Sequence, residues 1–352
     1  MKQEKKNKTD LSSLGEFGLI DHLTGKLVLK NKSSVTGVGD DAAVLDYKER
    51  CVVVSTDLLL EGIHFNLVYT PLKHLGYKAV ITNLSDIYAM NAIPGQITVS
   101  IGLSARFGME DVDELYEGIR LACDGYGVDL VGGDTSSSMT GMLISITVIG
   151  GAAPANIVYR RGARPGDLIC VTGDLGAAYF GLQVLEREKQ VFESDRKIEP
   201  RLEGYDYILE RQLKPEARKD IIELFGQMQI VPHAMIDISD GLSSDLMHIC
   251  KQSGTGCRIY ADRIPVHPLT RKVADEFNMT AETAALNGGE DYELLFTLTP
   301  GDYHRLESTN EITLLGEITE EKEGILLVTS GGNEVRLTAQ GWDQMSLRND
   351  HS

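Results

Sequence analysis

The amino-acid sequence predicts an α+β protein of two domains, and three observations carry that expectation. Between residues 51 and 149, β-branched runs alternate with helical spacing in the order strand–helix–strand–helix–strand–strand. That order suits helices layered on one face of a mixed sheet. Residues 160–167, with Gly162, Pro165 and Gly166, then break the pattern as a joint. The chain's 352 residues also exceed the roughly 250–300 at which a single core stops growing.

Each element has a local reason. Residues 51–55 are a β-branched run and read as a strand. Leu75, Ala79, Leu84, Ile87 and Tyr88 give residues 73–91 helical spacing, ended by Asn91 and Pro94. Ile97, Val99, Ile101 and Leu103 alternate as a half-buried strand over 96–103. Val112, Leu115, Ile119 and Ala122 mark a second helix over 109–127, stopped at Gly125 and Gly127; residues 128–131 and 142–149 are strands again. Beyond the joint come a strand at 168–172, a helix at 175–188, and a strand at 234–239 running into a helix at 242–253. Short strands at 258–261, 292–298, 313–318 and 325–328 alternate with brief helices. The highly charged stretch 186–218 reads as a surface excursion around another helix, with no chemistry assigned. The expected organisation is a disordered tail over 1–13 and domains over 14–155 and 160–346.

Composition excludes several functions. A net charge of −18 repels nucleic acid and anionic membrane surfaces alike. Residues 1–13 are polar and Lys-rich, unlike a secretory signal, and the most apolar stretch, 142–153, is too short to span a bilayer. The five cysteines form no CxxC pair and sit in apolar surroundings, which points to a reducing, cytoplasmic compartment. An acidic protein can still bind phosphates if metal ions stand between its carboxylates and the ligand.

Six short acidic motifs make that case: Gly39-Asp40-Asp41, Ser55-Thr56-Asp57, Asn83-Leu84-Ser85-Asp86, Gly132-Gly133-Asp134, Asp237-Ile238-Ser239-Asp240-Gly241 and Gly288-Gly289-Glu290-Asp291. Brought together, they form a hard oxygen cage for Mg²⁺, usually completed by substrate phosphates. The GxGxxA at residues 37–42 fails as a dinucleotide loop, because Asp40 and Asp41 would repel a pyrophosphate, whereas a metal makes both acids ligands. Ser55, Thr56 and Asp57 close an apolar strand in this reading and can share one ion, although such a triplet also suits a turn or N-cap. Asn83 and Asp86 lie three apart on an apolar helix and so share a face, where a buried acid needs a cation or a basic partner. Gly132 and Gly133 end a strand where phosphates can approach the backbone. Asp237, Ser239 and Asp240 stand at a strand-to-helix junction that favours anions, with plain capping as the bland alternative. No P-loop, protein-kinase, GxSxG or zinc signature is present.

In order and spacing these motifs resemble the thiamine-monophosphate kinase family of the aminoimidazole-ribonucleotide-synthetase-like superfamily. The resemblance runs from about Gly15 to Trp342 and includes Gly15-Glu16-Phe17 and Glu61-Gly62-Ile63-His64-Phe65. It implies a ferredoxin-like first domain that binds ATP and Mg²⁺ and forms a homodimer through its sheet, followed by an α/β domain. By position it implies Asp40, Ser55, Thr56, Asp57, Asp86, Asp134, Asp237 and Asp240 as ligands of several Mg²⁺ ions. Tyr116, Gly133, Asp134, Arg160 and Ser239 would contact ATP, and His64, Glu290 and Trp342 would shape the thiamine phosphate site. The chain departs from the family pattern after Gly341-Trp342-Asp343, where the usual His-Phe is missing.

The activity so implied is phosphorylation of thiamine monophosphate by ATP, in line and without a general base. Two rivals stand beside it. A sister synthetase would release free phosphate, and a non-catalytic ATP–Mg²⁺ sensor would turn nothing over.

Overall fold

The computed structural model describes residues 34–36 and 39–338. The expected tail, Gly15-Glu16-Phe17, Gly37, Val38 and Trp342 lie outside the described residues.

The first half contains β1 (Ser34–Thr36), β2 (Ala43–Asp46), β3 (Cys51–Leu60), α1 (Leu72–Ala89), β4 (Ile93–Leu103), α2 (Met109–Tyr126), β5 (Asp129–Ser137) and β6 (Leu143–Ala152). The strands form one mixed sheet in the order β1-β2-β3-β6-β4-β5. Only β4 and β5 pair in parallel. From β3 onward the layering is ferredoxin-like and the chain order is β–α–β–α–β–β. Strand alternation sends Val53, Ile97, Val99, Ile101, Ile144, Ile146 and Val148 into the core beneath the helices. The opposite face carries Val54, Thr56, Leu58 and Thr147, none of them buried.

α1 is buried on nearly every side, Lys78, Thr82, Asn83 and Ser85 included. It packs on the sheet, on α2 and on the second domain. The crossing with α2 is backbone to backbone. A Cβ on Gly76 would stand 2.0 Å from the Leu115 carbonyl oxygen, and one on Gly118 would stand 1.9 Å from that of Lys73.

The second half contains β7 (Leu168–Thr172), α3 (Ala177–Ser194), α4 (Asp206–Leu213), α5 (Lys219–Met228), β8 (Ala234–Asp237), α6 (Leu242–Ser253), β9 (Thr255–Tyr260), α7 (Pro268–Glu276), α8 (Ala281–Asn287), β10 (Leu294–Leu298), α9 (Pro300–Leu306), β11 (Ile312–Glu320), β12 (Ile325–Val328) and β13 (Glu334–Arg336). Its sheet runs β13-β12-β9-β11-β7-β10-β8, with β9 and β12 the parallel pair. One apolar cluster joins the two sheets, from Leu84 and Ile87 on α1 to Phe225, Met235 and Phe296. The cleft between the halves therefore has a fixed apolar floor.

Three expectations need correction. β3 continues to Leu60, so Ser55-Thr56-Asp57 lies inside a strand and not at its end. Gly132-Gly133-Asp134 likewise lies within β5. Both strands extend through polar residues because β6 and β4 supply their hydrogen-bonded neighbours. The stretch 186–218 is no mere surface excursion, since Glu188, Gln212 and Arg218 are buried. Arg211 and Arg218 both reach the buried Glu293, at 2.9 and 2.7 Å, and Thr172 Oγ1 donates to the same carboxylate at 2.6 Å. Toward the end of that stretch the charge is turned inward, onto the carboxylate ahead of β10, while Glu193, Asp195, Arg196, Lys197, Glu199, Arg201 and Glu203 stay exposed.

Candidate active site

Three carboxylates from distant segments meet at the cleft: Asp41 ahead of β2, Asp86 on α1 and Asp237 at the end of β8. One oxygen from each lies within 4.8 Å of the others. Each is held by a different partner. The Arg160 guanidinium grips Asp41 with Nε and Nη2, both at 2.9 Å, while the Arg160 main-chain N–H donates to Asp40 at 3.1 Å. Ser55 Oγ donates to Asp86 at 2.5 Å, and Ser85 Oγ donates to Asp237 at 2.6 Å.

Burial and mutual repulsion set the electrostatics. Burial, then the charges of Asp57, Asp237 and Asp41, push the Asp86 carboxyl well above its ordinary range. Burial, then Asp41, raises Asp237 to about 7, and the same two causes raise Asp40 to about 6. Like charges this close stay ionised only when a cation joins them. The all-oxygen donor set fits a hard divalent ion.

Asp57 follows Ser55 on the same face of β3, and its main-chain N–H donates to Asn83 Oδ1 at 3.1 Å. Thr56 faces the other side of the sheet, where its hydroxyl donates to the Ile146 carbonyl and accepts from Thr147, both at 3.0 Å. Asn83 and Asp86 do share a face of α1, since both engage β3. At the β8–α6 junction, Gly241 occupies the N-cap position and no side chain caps the helix, so the capping alternative for Ser239 and Asp240 is not realised. The Asp240 main-chain N–H instead donates to buried Asp245 at 3.3 Å. Burial, and then Asp240 and Asp237, push the Asp245 carboxyl well above its usual range.

A cavity of about 790 Å³ opens from this cluster, with Asp57, Asp86, Asp237, Ser239, Asp240, His64 and Glu290 on its wall. His64 Nδ1 accepts the Leu60 main-chain N–H at 3.0 Å, which leaves Nε2 as the protonated nitrogen of the neutral ring. Glu290 meets Lys78 Nζ at 3.0 Å and Gln212 Nε2 at 2.9 Å. Farther along, Tyr69 donates to Glu186 at 2.7 Å and Lys189 pairs with Glu186 at 3.2 Å.

Tyr116, Gly133 and Asp134 are not in that cavity. They line a second cleft of about 460 Å³ between β5 and α2. The reason is the strand order, which puts β6 and β4 between β3 and β5. Gly133, at φ +159, leaves no room for a side chain, because a Cβ would fall 1.8 Å from the Val99 carbonyl oxygen.

Sequence reasoning passed over Lys78, Gln212, Tyr69, Glu186, Lys189 and Asp245, and carried Asp40 into the metal set ahead of the more central Asp41. One signal was readable: Lys78 interrupts the apolar run of α1 as Asp86 does.

Two mixed sheets joined over an acid-lined cleft define the class. The family model of the AIR synthase related protein N-terminal domain matches residues 39–152, and that of the C-terminal domain matches residues 164–329. Among curated proteins, the chain is 33% identical to a thiamine-monophosphate kinase of Aquifex aeolicus over 320 residues, covering 90% of this chain and 95% of that one. It is 34% identical to one from Escherichia coli strain K12 over 345 residues, covering 94% and 98%. A solved structure described as AaThiL complexed with AMPPCP and TMP superposes with a TM-score of 0.81 at 31% identity, covering 96% of this chain and 99% of that one. The chain belongs to the thiamine-monophosphate kinase family.

Proposed function

We propose that the protein transfers the γ-phosphoryl group of ATP to the phosphate of thiamine monophosphate, giving thiamine diphosphate and ADP. The observation that carries this reading is the meeting of Asp41, Asp86 and Asp237 beside a cavity whose wall includes Asp86, Asp237, His64 and Glu290. Its support outside the chain is the end-to-end similarity to a protein described with AMPPCP and TMP.

The attacking atom is a phosphate-ester oxygen. With a second pKa of about 6 it is already ionised at neutral pH, so no side chain need remove a proton. The obstacle is repulsion between two polyanions. Bound Mg²⁺ supplies the charge neutralisation and alignment that phosphoryl transfer needs. Asp40, Asp41, Ser55, Asp57, Asp86, Asp237 and Asp240 would hold the ions, with Asp134 serving the second cleft; Thr56, whose hydroxyl is engaged on the other face of the sheet, drops out of the expected set. Arg160, beside Asp40 and Asp41, adds fixed positive charge next to the transferring group. Tyr116, Gly133, Asp134 and Ser239 are the further ATP contacts in this reading. His64 and Glu290 take the organic part of the acceptor.

The deciding assay follows ADP and thiamine diphosphate together by chromatography. One-for-one formation supports the kinase. ADP with free phosphate and no thiamine diphosphate would return the chain to the synthetases, and no ADP at all would make it a sensor.

Two expected results arise here. Glu290→Gln should raise the KM for thiamine monophosphate about 10- to 100-fold while leaving kcat and the KM for ATP within a few-fold, as loss of a charged hydrogen-bond partner does. Steady-state kinetics with either substrate varied decide it. The second concerns pH. Asp40, Asp86 and Asp237 keep protons in the folded chain above the pH at which the unfolded chain loses them. Without divalent ions, stability therefore falls as pH rises from the ordinary carboxylate value of 3.8 through about 7. Mg²⁺ competes with those protons. Its thermal stabilisation, read by calorimetry, should be small near about pH 5 and large near about pH 8.

We further propose a homodimer joined through the uncovered face of the first sheet. Leu58 stands 46% exposed on that face of β3, beside Val54, Thr56 and Thr147, none of them buried, which leaves apolar surface for a second sheet to cover. Sedimentation of the Leu58→Glu variant as a monomer would support this. We take the compartment to be the cytoplasm, where the free, buried cysteines stay reduced. Among the described residues no helix is long and apolar enough to cross a membrane.

A further inference from the structure

We infer that Lys78 and Gln212 are positioning residues that turn Glu290 into a reader of the acceptor's aminopyrimidine edge, and so set its base specificity. This rests on the reading of the cavity as the thiamine monophosphate site.

The three side chains form a closed ring across the two domains. Lys78 Nζ, on α1, pairs with Glu290 Oε1 at 3.0 Å and donates to the Gln212 main-chain oxygen at 2.9 Å. Gln212 Nε2, on α4, donates to Glu290 Oε2 at 2.9 Å. Lys78 and Gln212 are buried, and all three line the cavity. Glu290 is held further by its backbone. It adopts φ 65, and its N–H donates to the Ser239 carbonyl at 2.9 Å. Its carboxylate is thus fixed in direction.

That arrangement selects among ligand groups. A bare carboxylate would suit the cationic thiazolium, but Glu290 is already neutralised by Lys78, which weakens its pull on a cation. Each carboxylate oxygen keeps a lone pair beyond the donor it already meets, and the Gln212 amide and the Lys78 ammonium each keep an unused N–H. The ring therefore offers an acceptor beside a donor. An aminopyrimidine edge offers the complement, an amino N–H beside a ring nitrogen. Replacing that amino group by an oxo group inverts both partners.

The test compares thiamine monophosphate with oxythiamine monophosphate as acceptors for the full-length protein. Wild type should prefer the amino form in kcat/KM by about 10- to 100-fold, the size of one or two charged hydrogen bonds. Lys78→Met and Gln212→Ala should flatten that ratio and raise the KM for thiamine monophosphate, with the KM for ATP unchanged. In a Glu290→Gln background neither change should reduce the ratio further. Lys78→Arg, which keeps the charge, should restore part of it and serves if Lys78→Met does not fold. A wild-type level of discrimination in Lys78→Met, Lys78→Arg and Gln212→Ala alike would overturn the inference, as would a loss confined to kcat. If Glu290→Gln itself leaves the ratio untouched, the fault lies with Glu290 as an acceptor contact. If Glu290→Gln moves the ratio and the two partners do not, the fault lies with the ring.

Discussion

Asp57→Asn is expected to lower kcat by roughly 10³-fold or more while leaving the fold intact, on the scale of losing one principal stabiliser of phosphoryl-transfer charge. Asp57 stands on the inner face of β3, and its charge helps raise both Asp86 and Asp237. It is therefore electrostatically part of the cluster. The amide keeps its shape, and the main-chain bond to Asn83 does not involve the replaced atom. What disappears is one negative charge. Without metal the variant should be at least as stable as the parent, because repulsion falls; with Mg²⁺ it should gain less stability than the parent does. Turnover at saturating Mg²⁺ and melting with and without a chelator measure the two halves. Near-normal turnover would end the metal-cage model.

Arg160→Met should have the largest effect on stability, a loss of about 3–5 kcal/mol, as when one partner of a buried ion pair is removed. The Asp41 side chain is wholly buried and meets Arg160 through two bonds of 2.9 Å. Without the guanidinium, Asp40, Asp41, Asp86 and Asp237 face one another with no cation among the groups that hold them. Urea unfolding without metal reads the loss. Adding Asp41→Leu should recover much of the stability, since an apolar pair can replace a buried ionic one. It should recover no activity. Full recovery of both would reduce Arg160 to a structural clamp.

Much of this was legible in the chain. The run at 242–253 shows helical spacing between Gly241 and Gly254, and α6 occupies that stretch. Residues 168–172 and 325–328 are short apolar runs between turn residues, and β7 and β12 occupy them. Local pattern sufficed there because burial follows a single period. It failed at β3 and β5, where strands run on through Ser, Thr, Asp and Gly because neighbouring strands pair with them, which no local pattern records. It failed in part at 186–218, where the charged residues from Glu193 to Glu203 are exposed as expected but Arg211 and Arg218 close on the buried Glu293.

The sequence by itself determined the oxygen-rich chemistry, the residue types that carry it and their placement beside strands and on α1. Hard acids next to Gly and Ser are costly to bury without a purpose, and that cost can be read in one dimension. Only the tertiary structure decided which acids come together. Asp41, Asp86 and Asp237 are far apart in the chain and converge because α1 is wedged between the sheets, while strand order sends Asp134 to another cleft. Long-range pairing sets those distances, and electrostatic coupling depends on distance rather than on sequence separation.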